Sequence, residues 1–109
     1  MTPDEAAVAV AVAESISREL DEDYVGLWVV AWHIRRRVED ASNETVYAVA
    51  EAILSSLVES AVRIGSLAEE SGTFTPWSAD AGVKRAMREW MTLGRDPNIG
   101  EIAWLVRER

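Results

Sequence analysis

The sequence predicts an α+β domain, mostly α, with about four helices and a small β-hairpin. Three observations carry this. Apolar residues recur at i, i+3 and i+4 in separate segments, which is the spacing of one helix face. That period breaks after Ala61, where two short β-prone runs flank a polar loop containing Gly72. The 109 residues make one domain, 1–109, large enough to bury roughly two-thirds of the surface of the unfolded chain.

The first helix has a complete start signal. Thr2 is its N-cap, Pro3 takes the first helical position, and Glu5 stands three residues after the cap, where each side chain can satisfy an end amide. Val8, Val12, Ile16 and Leu20 then form an i+4 stripe flanked by Ala9 and Ala13, closed by the acidic run Asp21, Glu22 and Asp23. The second helix is predicted from Tyr24 to Asp40 and, being apolar around most of its circumference, is expected at the centre of the domain. Its row Tyr24, Trp28, Trp32 ends at Arg36, so a guanidinium can lie on an indole. Arg35, Arg36 and Arg37 complement the negative end of that helix dipole.

A third helix starts at Ser42 or Asn43 and runs to about Ala61. Val46, Ala50, Ile53 and Leu57, widened by Tyr47, Val49 and Leu54, face inward, whereas Glu51, Ser55 and Glu59 point away. The hairpin follows, with Pro76 ending its second strand because proline supplies no ladder donor. Ser78 or Asp80 would cap a fourth helix bearing Val83, Ala86, Met87 and Trp90 on one face, with Gly94 as its stop. In the tail, Asn98 and Glu101 match a capping pair for a short helix, whereas Ile102, Trp104 and Val106 alternate as a strand does. The alternation favours a third strand joined to the hairpin. A helix followed by such a hairpin is also compatible with a winged-helix-like arrangement.

Composition removes several chemistries. There is no cysteine, so disulfides, thiolate nucleophiles and cysteine metal sites are excluded, and a reducing compartment fits. The N-terminus carries Asp4 and Glu5 where a signal peptide would be basic, and no apolar run approaches a membrane span, so a cytoplasmic location without membrane contact is expected. His33 is the sole histidine and is expected as a hydrogen-bonded boundary residue. Asp21, Glu22 and Asp23 lack the ligand spacing of a calcium loop, and the glycines are scattered singly, so neither a metal nor a nucleotide cofactor is expected.

The net charge of −8 is uneven. Residues 1–23 hold seven acids against one base, and residues 41–72 hold five against one. Glu44, Glu51, Glu59, Glu69 and Glu70 would all face phosphate if the third helix and hairpin bound DNA, which argues against nucleic acid.

Five tryptophans remain to be placed. Trp28, Trp90 and Trp104 are predicted as core. Trp77 follows Pro76 at a corner that an indole can seal, and with the edge residue Trp32 it could instead supply an exposed anchor.

The segments GLW near residue 26, GTFTPW at 72–77, REWMTLGRDP at 88–97 and GEIAW at 100–104 resemble a group of small uncharacterised bacterial proteins. The resemblance implies no activity, cofactor or site residue. By analogy of size and charge, small acidic bacterial proteins sometimes act as immunity partners of basic toxins. The expected function is therefore non-catalytic protein–protein interaction, with a basic protein or with a second copy as a homodimer. The residues expected to carry it are Trp32, Arg36, Glu51, Glu59 and Trp77. The alternative is a small-molecule-binding or enzymatic domain with a pocket between the helix Tyr24–Asp40 and the hairpin, using Tyr24, Trp32 or Tyr47 with an arginine.

Overall fold

The computed structural model describes residues 1–108. In chain order the elements are α1 (Pro3–Leu20), β1 (Val25–Gly26), α2 (Leu27–Arg37), α3 (Asn43–Glu59), β2 (Val62–Leu67), β3 (Phe74–Pro76), α4 (Gly82–Leu93) and β4 (Trp104–Arg107). The strands form one antiparallel sheet in the order β1-β4-β2-β3. The domain is α+β and mostly α, as its periodicity predicts. No helix among the described residues is long and apolar enough to cross a membrane.

Local chemistry accounts for most boundaries. Thr2 and Glu5 close the capping box of α1, the Thr2 Oγ1 accepting from the Glu5 amide at 3.1 Å. Ser42 caps α3 in the same way, accepting from the Thr45 amide at 3.2 Å. Gly94 ends α4 in the left-handed region, at φ 74°. Neither Ser78 nor Asp80 caps α4 with its side chain. Its N-cap is Ala81, and Ser78 contributes its backbone carbonyl to the amides of Ala81 and Gly82 in the turn before it.

The helix expected over Tyr24–Asp40 is shorter. Val25 and Gly26 pair with Leu105 and Trp104 of β4, so the chain is extended there and α2 begins only at Leu27. The Leu27 amide donates to the Ala103 carbonyl at 3.0 Å, fixing that start to the tail. Tyr24 therefore lies outside α2 and packs near Phe74, with ring centroids 6.4 Å apart. Nor is α2 the centre. That place belongs to α3, which packs against α1, α2, α4 and β2 and buries Val46, Val49, Ala50, Ile53, Leu54 and Leu57. On α2 only Leu27, Val30, Ala31 and Ile34 are buried, a single i, i+3, i+4, i+7 face.

The tail resolves as a strand. β4 lies between β1 and β2, with Leu105 opposite both Val25 and Ile64. Those three side chains are buried with Val62 on the helix-covered face, as a period of two requires. Arg63, Trp104 and Val106 alternate to the other face and stay half-buried. Gly65 is required where β2 meets β3, since a Cβ there would stand 2.2 Å from the Thr75 carbonyl oxygen.

The tryptophans divide. Trp90 is fully buried, with Tyr47 edge-on at 5.8 Å. Trp28 and Trp104, expected in the core, are instead a half-buried T-shaped pair at 4.9 Å, because the short β1 places the first turn of α2 beside the outer face of β4. Trp77 is buried and Trp32 is 53 % exposed.

This division predicts two unlike mutational costs. Trp90→Ala should destabilise the fold by about 3–5 kcal/mol, whereas Trp32→Ala should stay within about 0.5 kcal/mol. Urea unfolding followed by circular dichroism measures both, and equal costs at the two positions would contradict the placement.

Candidate functional site

With Leu27, Val30, Ala31 and Ile34 turned inward, the helical period turns Trp32 and Arg36 outward together. The Arg36 guanidinium carbon lies 4.6 Å from the Trp32 ring centroid, the stacking that the i+4 spacing makes available. His33 stands edge-on to Trp32 at 5.0 Å, and its Nε2 meets Glu19 Oε2 of α1 at 3.0 Å. His33 is thus a half-buried boundary residue joining two helices.

On one side of Trp32 lies a groove of about 310 Å³. Trp28, Ala31, Trp32 and Arg35 of α2 line one wall, and Asp96, Pro97, Asn98 and Ile99 line the other. Ile99 is 79 % exposed, the largest exposure of any bulky apolar side chain among the described residues. On the other side, Trp32, His33, Arg36 and Arg37 line a depression of about 420 Å³. Trp32 is the ledge between the two.

The second wall is irregular backbone, yet it is firmly tied. Arg35 Nε and Nη2 donate to the two Asp96 carboxylate oxygens at 2.9 and 3.1 Å, a bidentate fork. The same guanidinium donates to the Ala41 carbonyl at 3.1 Å and to Asn43 Oδ1 at 2.9 Å. Hydrogen bonding to Asp96 raises the Arg35 pKa, which only confirms a charge already present at neutral pH. Within the loop, Arg95 grips both Glu101 oxygens at 2.7 and 3.0 Å, and Glu101 Oε1 also accepts from the Asn98 amide at 2.6 Å. These bonds, Arg95 first and the Asn98 amide second, hold the Glu101 pKa at about 2. The Asn98 and Glu101 pair thus closes a turn without starting a helix. Ile102 lies in the left-handed region, at φ 67°, as the loop turns into β4.

The other expected residues lie elsewhere. Glu51 edges a separate groove of about 310 Å³ with Lys84, Met87, Arg88, Met91 and Thr92. Glu59 is exposed on the last residue of α3. Trp77 seals a corner and offers no exposed anchor. Its Nε1 donates to Ser66 Oγ at 3.0 Å, and Arg85 covers its ring at 3.8 Å, leaving 8 % exposed. The pocket expected between the helix Tyr24–Asp40 and the hairpin does not assemble from its three candidates. Tyr24 lines a depression with Leu20, Glu22, Asp23, Val106 and Arg107, Tyr47 packs on Trp90, and Trp32 forms the ledge. Arg35, Asp96, Pro97 and Ile99 are site residues that the sequence did not mark. Their one local signal is a lone Ile after the turn sequence Asp96-Pro97-Asn98.

The two cavities together present an indole, an isoleucine, an imidazole and guanidinium groups.

A lowered carboxylate pKa adds stability that is complete above the unfolded value of 4.5 and is lost as the pH falls toward 2. Carboxyl NMR titration should therefore place the Glu101 midpoint at about 2. Arg95→Ala should return it toward 4.5, and a wild-type midpoint already at 4.5 would refute the tie. No protein-family model, curated protein or solved structure matches this chain.

Proposed function

We propose that this chain is a non-catalytic protein–protein interaction module that seats its partner across Trp32 and Ile99. The observation that carries this is the exposure of those two side chains, 53 % and 79 %, on opposite walls of one tethered groove. A free Trp or Ile gains most by being covered, and Trp and Arg are the residues that dominate interface energies. The ledge is also preorganised. Trp32 stands on a helix and carries Arg36 on its face, and Ile99 is held by a loop with its own ion pair and hydrogen bonds, so little ordering entropy is lost on docking.

The partner is a second copy of this chain or another protein. At a distance, the net charge of −8 favours basic partners, and the exposed Glu51 and Glu59 contribute to that field.

Two measurements test the proposal together. Affinity capture from the source cells with wild-type and Trp32→Ala bait should recover a partner with the first and lose it with the second. If the partner is a second copy, light scattering over a concentration series should show a wild-type dimer that Trp32→Ala returns to monomer. A wild-type monomer with no partner that depends on Trp32 would overturn it.

A further inference from the structure

We infer that the segment seated on Trp32 is an acidic stretch with an apolar anchor, the anchor entering the Trp28–Ile99 groove and the neighbouring carboxylates meeting Arg36 and Arg37. This rests on the binding surface proposed above and adds the chemistry of what fills it.

Charge pairing elsewhere in the molecule supports it. Arg35, Arg63, Arg85, Arg95 and Arg107 each have a carboxylate within ion-pair distance. Arg36 and Arg37 have none among the described residues, in a chain with 19 acids to 11 bases. Arg18, Lys84 and Arg88 also lack such a partner among the described residues, but none of them lines either of the two cavities beside Trp32. Two acids that contact residues of the ledge and its groove are already engaged, Glu19 by His33 and Asp96 by Arg35. Glu39 and Asp40 follow α2 in the next turn, and neither reaches Arg36 or Arg37 as an ion pair.

At contact, local sign outweighs total charge. Screening confines the field of exposed charges to roughly 8 Å at physiological ionic strength. A docked segment therefore meets the two guanidinium groups first, and the α1 acid beside them, Glu19, is engaged by His33. Stacking on Trp32 holds the Arg36 fork in place, and a planar fork recognises a carboxylate with two parallel hydrogen bonds. Because Trp32 lines both cavities, one short segment can place an apolar side chain on one side and an acid on the other.

A phage-displayed library of random peptides, panned on the wild-type protein and counter-selected on Trp32→Ala, tests this. Enriched peptides should combine Asp or Glu with a Leu, Ile, Phe or Trp. Synthetic copies should bind about tenfold more weakly to the Arg36→Glu, Arg37→Glu double variant, the scale expected for reversing two exposed charges, and more weakly by a smaller factor to the Arg36→Lys, Arg37→Lys variant, which keeps the charges and loses the fork. Unchanged circular dichroism of the variants excludes misfolding as the cause. Neutral or Lys-rich peptides that still depend on Trp32 would overturn the acidic segment and leave the binding surface standing. Recovery of no Trp32-dependent peptide would overturn both.

Discussion

The guanidinium of Arg35 is the tie on which the candidate surface depends. It reaches from the last turns of α2 to Asp96, to the Ala41 carbonyl and to Asn43, joining α2, the turn after it, the first residue of α3 and the 95–103 loop. Without it, the ties from α2 toward the wall that carries Pro97 and Ile99 would be the Leu27 to Ala103 backbone bond and the Trp28 contact with Trp104, both at the far end of the loop. Five donors in a rigid plane suit this task, and a lysine at the same position could satisfy only part of it.

The surface helix is a consequence of how the core is divided. α3 takes the central position because it is apolar on the sides facing α1, α2, α4 and β2, and it buries six residues in doing so. That leaves α2 a single inward face, so its remaining large side chains must stay at the boundary. Trp28 finds Trp104, and His33 finds Glu19. Trp32 finds the guanidinium of Arg36 above it and the edge of His33 beside it and stays 53 % exposed.

Local patterns in the sequence suffice for α1, α3, the apolar stripe and Gly94 stop of α4, and the hairpin, whose signals lie within a few residues of each other, whereas the start of α4 at Ala81 carries no side-chain cap. They fail where a distant segment decides. A two-residue strand at Val25–Gly26 exists only because β4, some 80 residues later, pairs with it, and this shortened α2 at its start. The Arg35 to Asp96 bond spans 61 residues and leaves no periodic trace, so the groove was invisible although Trp32 and Arg36 were not. Trp32 and Trp77 look alike in one dimension. Burial separates them: each carries a guanidinium on its ring, but Trp77 also donates to Ser66 and is 8 % exposed, whereas Trp32 stays 53 % exposed.

Amide hydrogen exchange in wild type and Arg35→Lys tests the central claim most directly, since Lys keeps the charge and loses the fork. Exchange at residues 95–101 should rise by about tenfold or more, with α1 and α3 unchanged, if Arg35 alone holds that wall against Trp32. Equal protection of the loop in both proteins would show that the groove is held by other means and would contradict the account.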